Sequence, residues 1–297
     1  MNIAIILNGI SRKKQFFYKS ILPPLQKQHA IPVFETRYAG HATELARAAA
    51  SKFATILSAG GDGTLNQVLN GVLTSQNKML PILGLIPLGS GNDFAGAIGA
   101  SASAQQLLQL LNQAGKPTDV GFITCKDFNG YERQHYFINV CSAGMGPATI
   151  KQMEKAPAWM GANLRYLTSI IKTFFTHTPE PVELKTQTWN WRGVVRVLAI
   201  ANGKSFGNRI YLAPEAKQDD GLFNLFAAGD VPLLKFLLYL QTLKQGSKIH
   251  DSQIQYELSN KIEITSEKLV AIEAEGELVG FLPATICMKS KLVSFLR

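Results

Sequence analysis

An α/β domain followed by a β-rich domain is the architecture that this 297-residue chain predicts, and three observations carry the prediction. Through the first 119 residues, short apolar runs rich in β-branched residues alternate with helical patterns, as in a parallel sheet covered by helices. Two of those runs end in glycine-rich turns that lead straight into helices. These are Ser58-Ala-Gly-Gly-Asp-Gly-Thr-Leu-Asn66 and Leu85-Ile-Pro-Leu-Gly-Ser-Gly-Asn-Asp-Phe94. Beyond Gly115-Lys-Pro-Thr-Asp119 the texture changes to short strands punctuated by turn residues. The predicted boundary therefore falls at 119/120.

In chain order, Asn2 to Leu7 reads as a buried strand that ends in the loop Asn8-Gly-Ile-Ser-Arg12. A helical pattern spans Phe17 to Gln28, and a second strand runs from Ile31 to Thr36. Gly40-His-Ala-Thr-Glu44 opens a helix ending near Ser51, with His41 in its first turn. The strand Phe53 to Leu57 precedes the first glycine turn. Leu65, Val68, Leu69 and Val72 then recur at helical spacing, so a helix is expected from about Thr64. The strand Ile82 to Pro87 and a helix over Ser101 to Ala114 complete the array. In the second part, candidate strands are Val120 to Thr124, His135 to Ser142, Val182 to Trp189, Gly193 to Asn202, Leu222 to Ala228, Ile254 to Leu258 and Lys261 to Thr265. The Asn129-Gly130 step marks a hairpin turn. Two apolar helices interrupt the strands, Leu164 to Phe175 and Leu233 to Lys244. Core packing accounts for most of their side chains; a rim that dips into acyl chains is the functional alternative, stronger for the second helix.

Composition narrows the partners. The formal charge of +9 points to a nucleotide, a nucleic acid or an anionic membrane face. Basic residues form no run of five and are not interleaved with aromatics, which disfavours nucleic acid. Cys125, Cys141 and Cys287 fit neither a zinc spacing nor a disulfide framework, so buried thiols in a reducing cytosol are expected. No stretch approaches the roughly 18 apolar residues of a spanning helix, and any membrane contact is expected to be peripheral.

Chemistry concentrates in the glycine turns. Gly60, Gly61 and Gly63 let backbone approach an anion, and the following helix start offers free N–H groups and a favourable dipole. Asp62 is an acid where an anion is expected, which suits a Mg²⁺ ion bridging carboxylate and phosphate. A tight turn with Asp62 or Thr64 capping the helix is the plain alternative. The second turn repeats the design one unit later. Two such loops on adjacent strand ends would face one crevice, where open α/β sheets bind ligands.

Gly60-Gly-Asp-Gly-Thr-Leu-Asn66 together with Pro87-Leu-Gly-Ser-Gly-Asn-Asp-Phe-Ala95 resembles the diacylglycerol-kinase catalytic fold, in particular small bacterial lipid kinases of the YegS and DgkB type. The resemblance implies a Rossmann-like α/β domain of the NAD kinase and diacylglycerol kinase kind, a C-terminal β-sandwich domain and a cleft between them. Residues 284–297 would return to the first domain. For ATP it implies Gly60, Gly61, Asp62, Gly63, Thr64, Leu65, Asn66, Gln67 and Ser90, with Asn8 and Thr36; a strand-end Thr36 bonding local backbone stays open. Phe137-Ile-Asn-Val-Cys-Ser-Ala-Gly-Met-Gly146, Ala201-Asn-Gly203 and Leu212-Ala-Pro-Glu-Ala216 resemble family landmarks, while Gly207-Asn208-Arg209 stands where the family has a glycine triplet.

Ala274-Glu-Gly-Glu-Leu278 resembles the family's Asp-Gly-Glu motif, which implies Glu277 as general base. Glu275 replaces the aspartate, and a slow base, a headgroup selector and a Mg²⁺ partner are its open roles; a hairpin turn with two exposed acids is the plain reading. Asp93 is a further acid near the phosphates, or a helix cap. Lys217-Gln-Asp-Asp-Gly-Leu222 resembles a loop that in some members holds a structural Mg²⁺ through Lys217, Asp220 and Leu222. All-oxygen ligation there suits Mg²⁺ or Ca²⁺, and a plain Asp-Gly turn is the alternative. The expected protein is a cytoplasmic, peripherally membrane-associated kinase using ATP and Mg²⁺ on a diacylglycerol or phosphatidylglycerol class of lipid, with a homodimer open. A sphingoid base or NAD as acceptor, and a non-catalytic nucleotide- and lipid-binding regulator, are the alternatives.

Overall fold

The computed structural model describes residues 2–207 and 209–297. The chain forms two compact units, one running to Asp119 and including Ser290–Arg297, the other Val120–Lys289.

The first unit opens with β1 (Ile3–Leu7), whose five residues are all buried, as a strand covered on both faces requires. The next helical run is α1 (Lys14–Phe16), a π-helical turn (Phe17–Ile21) and α2 (Leu22–Gln26). It starts earlier than the periodicity predicted. Pro23 and Pro24 sit at the first positions of α2, where their missing N–H groups are tolerated, and the wider turn precedes them. Then come β2 (Val33–Glu35), α3 (His41–Ala50), β3 (Thr55–Gly60), α4 (Asp62–Leu73), β4 (Ile82–Pro87), α5 (Asp93–Ile98) and α6 (Ala104–Leu111). Ser103 caps α6 by accepting from the Gln106 N–H at 3.4 Å, so this helix is shorter at both ends than the expected Ser101 to Ala114.

The strands are parallel in the order β4-β3-β1-β2, and Phe295 of the returning segment lies beside Leu83 of β4. Register aligns Leu7 with Ala59 and Glu35, and Gly60 with Pro87. All four carboxyl ends therefore open at one edge. Their loops are the ones the sequence singles out.

The second unit is built from β5 (Lys116–Lys126), which starts in the first unit, then β6 (Glu132–Phe137), β7 (Val140–Gly144), α7 (Met145–Lys155), α8 (Ala162–Thr176), β8 (Glu180–Lys185), β9 (Asn190–Val195) and β10 (Val197–Ala201). β11 (Phe223–Ala228), α9 (Leu233–Lys244), β12 (Ile254–Ser259), β13 (Lys261–Thr265), β14 (Ala271–Ala274) and β15 (Glu277–Phe295), whose last residues from Ser290 belong to the first unit, follow. Antiparallel pairing gives the order β12-β11-β10-β7-β14-β15, while β13, β8, β9, β5 and β6 extend from β15 in a second layer. Alternation explains the packing. Cys141, Leu198, Ile200, Leu225 and Ala227 point into the core between the layers, with Leu184, Ile262 and Ile264. Their neighbours Val140, Ala199, Ala201, Phe226 and Ala228 point the other way, into a second core with Ile170, Phe174, Phe236 and Leu243 of α8 and α9. This sheet is apolar on both faces because helices cover one of them.

Candidate active site

In the first unit, the two glycine loops are bonded to each other. Gly60 O accepts from the Leu88 and Gly89 N–H groups at 2.8 and 3.2 Å. A Cβ on Gly89 would lie 2.5 Å from the Gly61 Cα, so only glycine allows this approach. Helix α4 begins at Asp62, two residues before the expected start. The Asp62 carboxylate spans the loops: Oδ2 accepts from the Asp93 N–H at 3.1 Å and Oδ1 from the Phe94 N–H at 3.2 Å. Asp62 thus caps α5 rather than its own helix. Asn92, in the left-handed region at φ 57°, accepts from the Gly89 N–H and donates to the Gly89 O at 3.0 and 2.9 Å, closing the second loop.

The other predicted nucleotide residues gather along the same edge. Asn8 Nδ2 donates to Thr64 Oγ1 at 3.2 Å, and Thr36 Oγ1 accepts from the Gly9 N–H at 3.0 Å. Thr36 therefore bonds backbone from another strand's loop. Ser11 Oγ donates to Leu88 O at 3.1 Å, so all three loops are stitched together, and Ser11 is a contact the sequence reading left out of the site. Ser90 is exposed at the loop apex; Gly63 and Gln67 are half-buried in the first turns of α4. Asn66 is buried and accepts from Asn70 Nδ2 with its side-chain oxygen at 3.0 Å. Leu65 is wholly buried with its N–H on Gly61 O at 3.0 Å, so its side chain supports the loop from beneath.

In the second unit, β14 and β15 join through a two-residue turn in which Glu275 (φ 55°) and Gly276 (φ 83°) are both left-handed. A glutamate in that region is held against its preference. What holds it is visible. Glu275 is 9% exposed, and its Oε1 accepts from the Ile138 and Asn139 N–H groups at 3.0 and 2.6 Å. Those amides sit where the single strand expected over His135 to Ser142 breaks into β6 and β7. Around the break, Asn139 O accepts from the Asn202 and Gly203 N–H groups, Asn202 Nδ2 donates to Ile138 O at 2.7 Å and Asn139 Nδ2 to Ser205 O at 3.0 Å. The separate sequence landmarks thus meet at one turn. The plain alternative, a hairpin turn with two exposed acids, holds only for Glu277: it is exposed and Glu275 is not.

A third acid, which the sequence reading passed over, lies beneath. Glu273 is wholly buried, takes a hydrogen bond from the Ser142 hydroxyl on Oε1 and one from the Gly276 N–H on Oε2 at 2.9 Å. Burial pushes its carboxyl up to about 7, against the pull of those two bonds. Ser142 also borders a half-open apolar pocket of about 80 Å³ between the β7-β10-β11 sheet and helices α7, α8 and α9. Met145, Ile170, Phe226, Phe236 and Leu240 are among its walls. The opposite face of α9 leaves Leu234, Leu237 and Leu238 exposed, at 73%, 37% and 56%.

Comparison with known proteins meets this geometry at both units. Residues 2–123 match the diacylglycerol kinase catalytic domain, and residues 139–297 match the YegS C-terminal NAD kinase β-sandwich-like domain. The chain belongs to the family of diacylglycerol kinase and YegS lipid kinases. It is 29% identical over 293 residues to a diacylglycerol kinase of Bacillus subtilis strain 168, covering 95% of this chain and 92% of that one. It is 30% identical over 224 residues to the lipid kinase YegS of Escherichia coli K12, covering 74% and 72%. A solved diacylglycerol kinase from Bacillus anthracis Sterne shares the fold with a TM-score of 0.73 at 20% identity, over 99% and 96% of the two chains.

Two carboxylates of the first-unit loops have the oxygen chemistry that a divalent cation takes. Asp62 Oδ2 and Asp93 Oδ2 both lie against Gly91, at 3.3 and 3.7 Å from where its Cβ would be. Among the described residues no group of three acidic, histidine or cysteine side chains is placed to hold a metal ion. In the second unit, Asp220 Oδ1 accepts from the Leu222 N–H at 3.1 Å beside Gly221 at φ 78°. That is the Asp-Gly turn, with Lys217 exposed next to it. In the altered triplet, Gly207 and Arg209 are left-handed at φ 56° and 61°, and Asn208 lies outside the described residues.

Proposed function

We propose that this lipid kinase takes ATP with Mg²⁺ and transfers the γ-phosphoryl group to the hydroxyl of a diacylglycerol-like lipid at a membrane surface. The observation that carries the reading is the apolar pocket of the second unit, walled by helices whose outer faces keep leucines in solvent. A soluble acceptor such as NAD has no use for either feature. Exposed Lys172 and Lys244 on α8 and α9 suit anionic headgroups around those leucines. Among the described residues no helix is long and apolar enough to cross a membrane.

In the transfer, the acceptor oxygen forms a bond to the γ-phosphorus as the bond to the bridging oxygen breaks and ADP leaves. Bound Mg²⁺ would neutralise phosphate charge, with Asp62 and Asp93 as its protein ligands. The α4 start and the linked glycine loops cradle the phosphates through backbone N–H groups. Exposed Glu277 receives the hydroxyl proton, while buried Glu275 anchors the turn to residues 138 and 139. A second cation at Asp220 with the Lys217 and Leu222 carbonyls belongs to the same proposal as a structural ion.

The test is phosphoryl transfer from labelled ATP to micellar diacylglycerol, phosphatidylglycerol and a sphingoid base, with NAD as the soluble control. A labelled lipid that vanishes with Asp62→Ala supports the reading and names the acceptor. ATP binding without any transfer would instead favour a nucleotide-binding regulator.

A further inference from the structure

We propose that Glu273 is a positioning residue for the reaction: one oxygen of its solvent-inaccessible carboxyl group grips the turn that presents Glu277, and the other anchors that grip to β7. The proposal rests on the lipid-kinase reading for its kinetic consequence and on geometry for everything else.

Three features converge on this side chain. The β14–β15 register shifts between Ile272 and Glu273, so a bulge falls at this position. Bulges re-aim side chains and are frequent beside active sites. Here Oε2 of Glu273 takes the Gly276 N–H, the central amide of a turn whose first residue is held in an unfavourable left-handed conformation. On the other side, Ser142 is the cross-strand partner of Glu273 on β7 and fixes the carboxyl by its hydroxyl. Glu275 ties one corner of the turn to residues 138 and 139; Glu273 ties the next corner to β7. With both ties, the backbone entering Glu277 has one course. Ser142 also borders the apolar pocket, so the same bonded pair joins the pocket wall to the base of the turn.

The experiment compares wild type with Glu273→Gln and Glu273→Met in micellar kinase assays and in amide hydrogen exchange at Gly276. Glutamine can take the Gly276 N–H on its oxygen and donate its NH₂ to the Ser142 hydroxyl; methionine fills the same space and makes neither bond. Glu273→Met is expected to lower kcat by about 10- to 100-fold, the scale of a 1 Å misplacement, with the KM for ATP within about 2-fold of wild type. Glu273→Gln is expected to recover most of that loss. Gly276 exchange should accelerate in the methionine variant and stay slow in the glutamine one. Wild-type kcat in Glu273→Met, a glutamine variant as impaired as the methionine one, or unchanged Gly276 protection in Glu273→Met would each overturn the proposal. Should Glu273→Met not fold, Ser142→Ala takes its place: a reduced kcat at constant KM for ATP supports the proposal, and an unchanged kcat overturns it. If wild type transfers phosphate to no lipid, the functional reading falls, and Gly276 exchange alone decides whether Glu273 holds the turn.

Discussion

Replacing Glu273 by glutamine should stabilise the protein in alkali and leave it nearly unchanged in mild acid. The carboxyl of Glu273 is pushed up to about 7 by burial, against an ordinary 4.5. A folded value above the unfolded one means that the native state binds the extra proton between those limits. Stability falls as pH rises through that window, because the unfolded chain ionises freely while the folded one resists. At 1.36 kcal/mol per tenfold change in acidity, the full penalty above pH 8 is about 3 kcal/mol. A neutral glutamine carries no such cost, and it can accept the Gly276 N–H on its oxygen while its NH₂ donates to the Ser142 hydroxyl. At pH 5 both side chains are largely neutral and the difference should shrink below about 1 kcal/mol. Thermal unfolding at pH 5.0 and 8.5 measures it, and a gain of roughly 6 °C or more is expected at the higher pH alone. Equal melting temperatures at pH 8.5, or a difference that does not depend on pH, would show that Glu273 is not held neutral by burial.

The remaining predictions address the site directly. Asp62→Ala should abolish transfer and also lower stability by about 1 kcal/mol, since two amides of α5 lose their acceptor; urea unfolding beside the kinase assay separates the two effects. Gly89→Ala should weaken ATP binding at least about 10-fold in calorimetric titration, because the added Cβ would sit 2.5 Å from the Gly61 Cα and force the loops apart. Glu277→Gln should cut kcat by about 100-fold or more with ATP affinity retained, as loss of a general base does. Leu234→Glu combined with Leu238→Glu should abolish sedimentation with anionic vesicles at unchanged melting temperature, since both side chains are mostly exposed.

The first unit was legible because its rules are local. A strand that is apolar throughout, a glycine turn and a helix start occupy adjacent residues, so pattern alone aligned Gly60 to Thr64 with Pro87 to Asp93 at one sheet edge. What local reading could not supply was the direction of Asp62, whose carboxylate reaches 31 residues along the chain to cap another helix. Helix α9 was found to the residue, Leu233 to Lys244, because apolar residues spread over most of its circumference. That same uniformity hid which leucines face the pocket and which face solvent. The second unit resisted further. Apolar alternation continues across residues 138 and 139, so His135 to Ser142 looks like one strand. The break there depends on Glu275, which lies 136 residues away from Asn139 and supplies the acceptor for its N–H. Glu273 carried no signal for a related reason. In Ala271-Ile-Glu-Ala274 it occupies an alternation slot that ordinarily faces water, and only the neighbouring Ser142, the bulge and the returning Gly276 N–H make a buried acid tolerable there. A polar residue is affordable in a core when partners from distant strands satisfy it, and such partners are a property of the sheet's register. The acids that sequence exposes are those near their own glycines; the acid that braces them from below becomes visible only once the strands are paired.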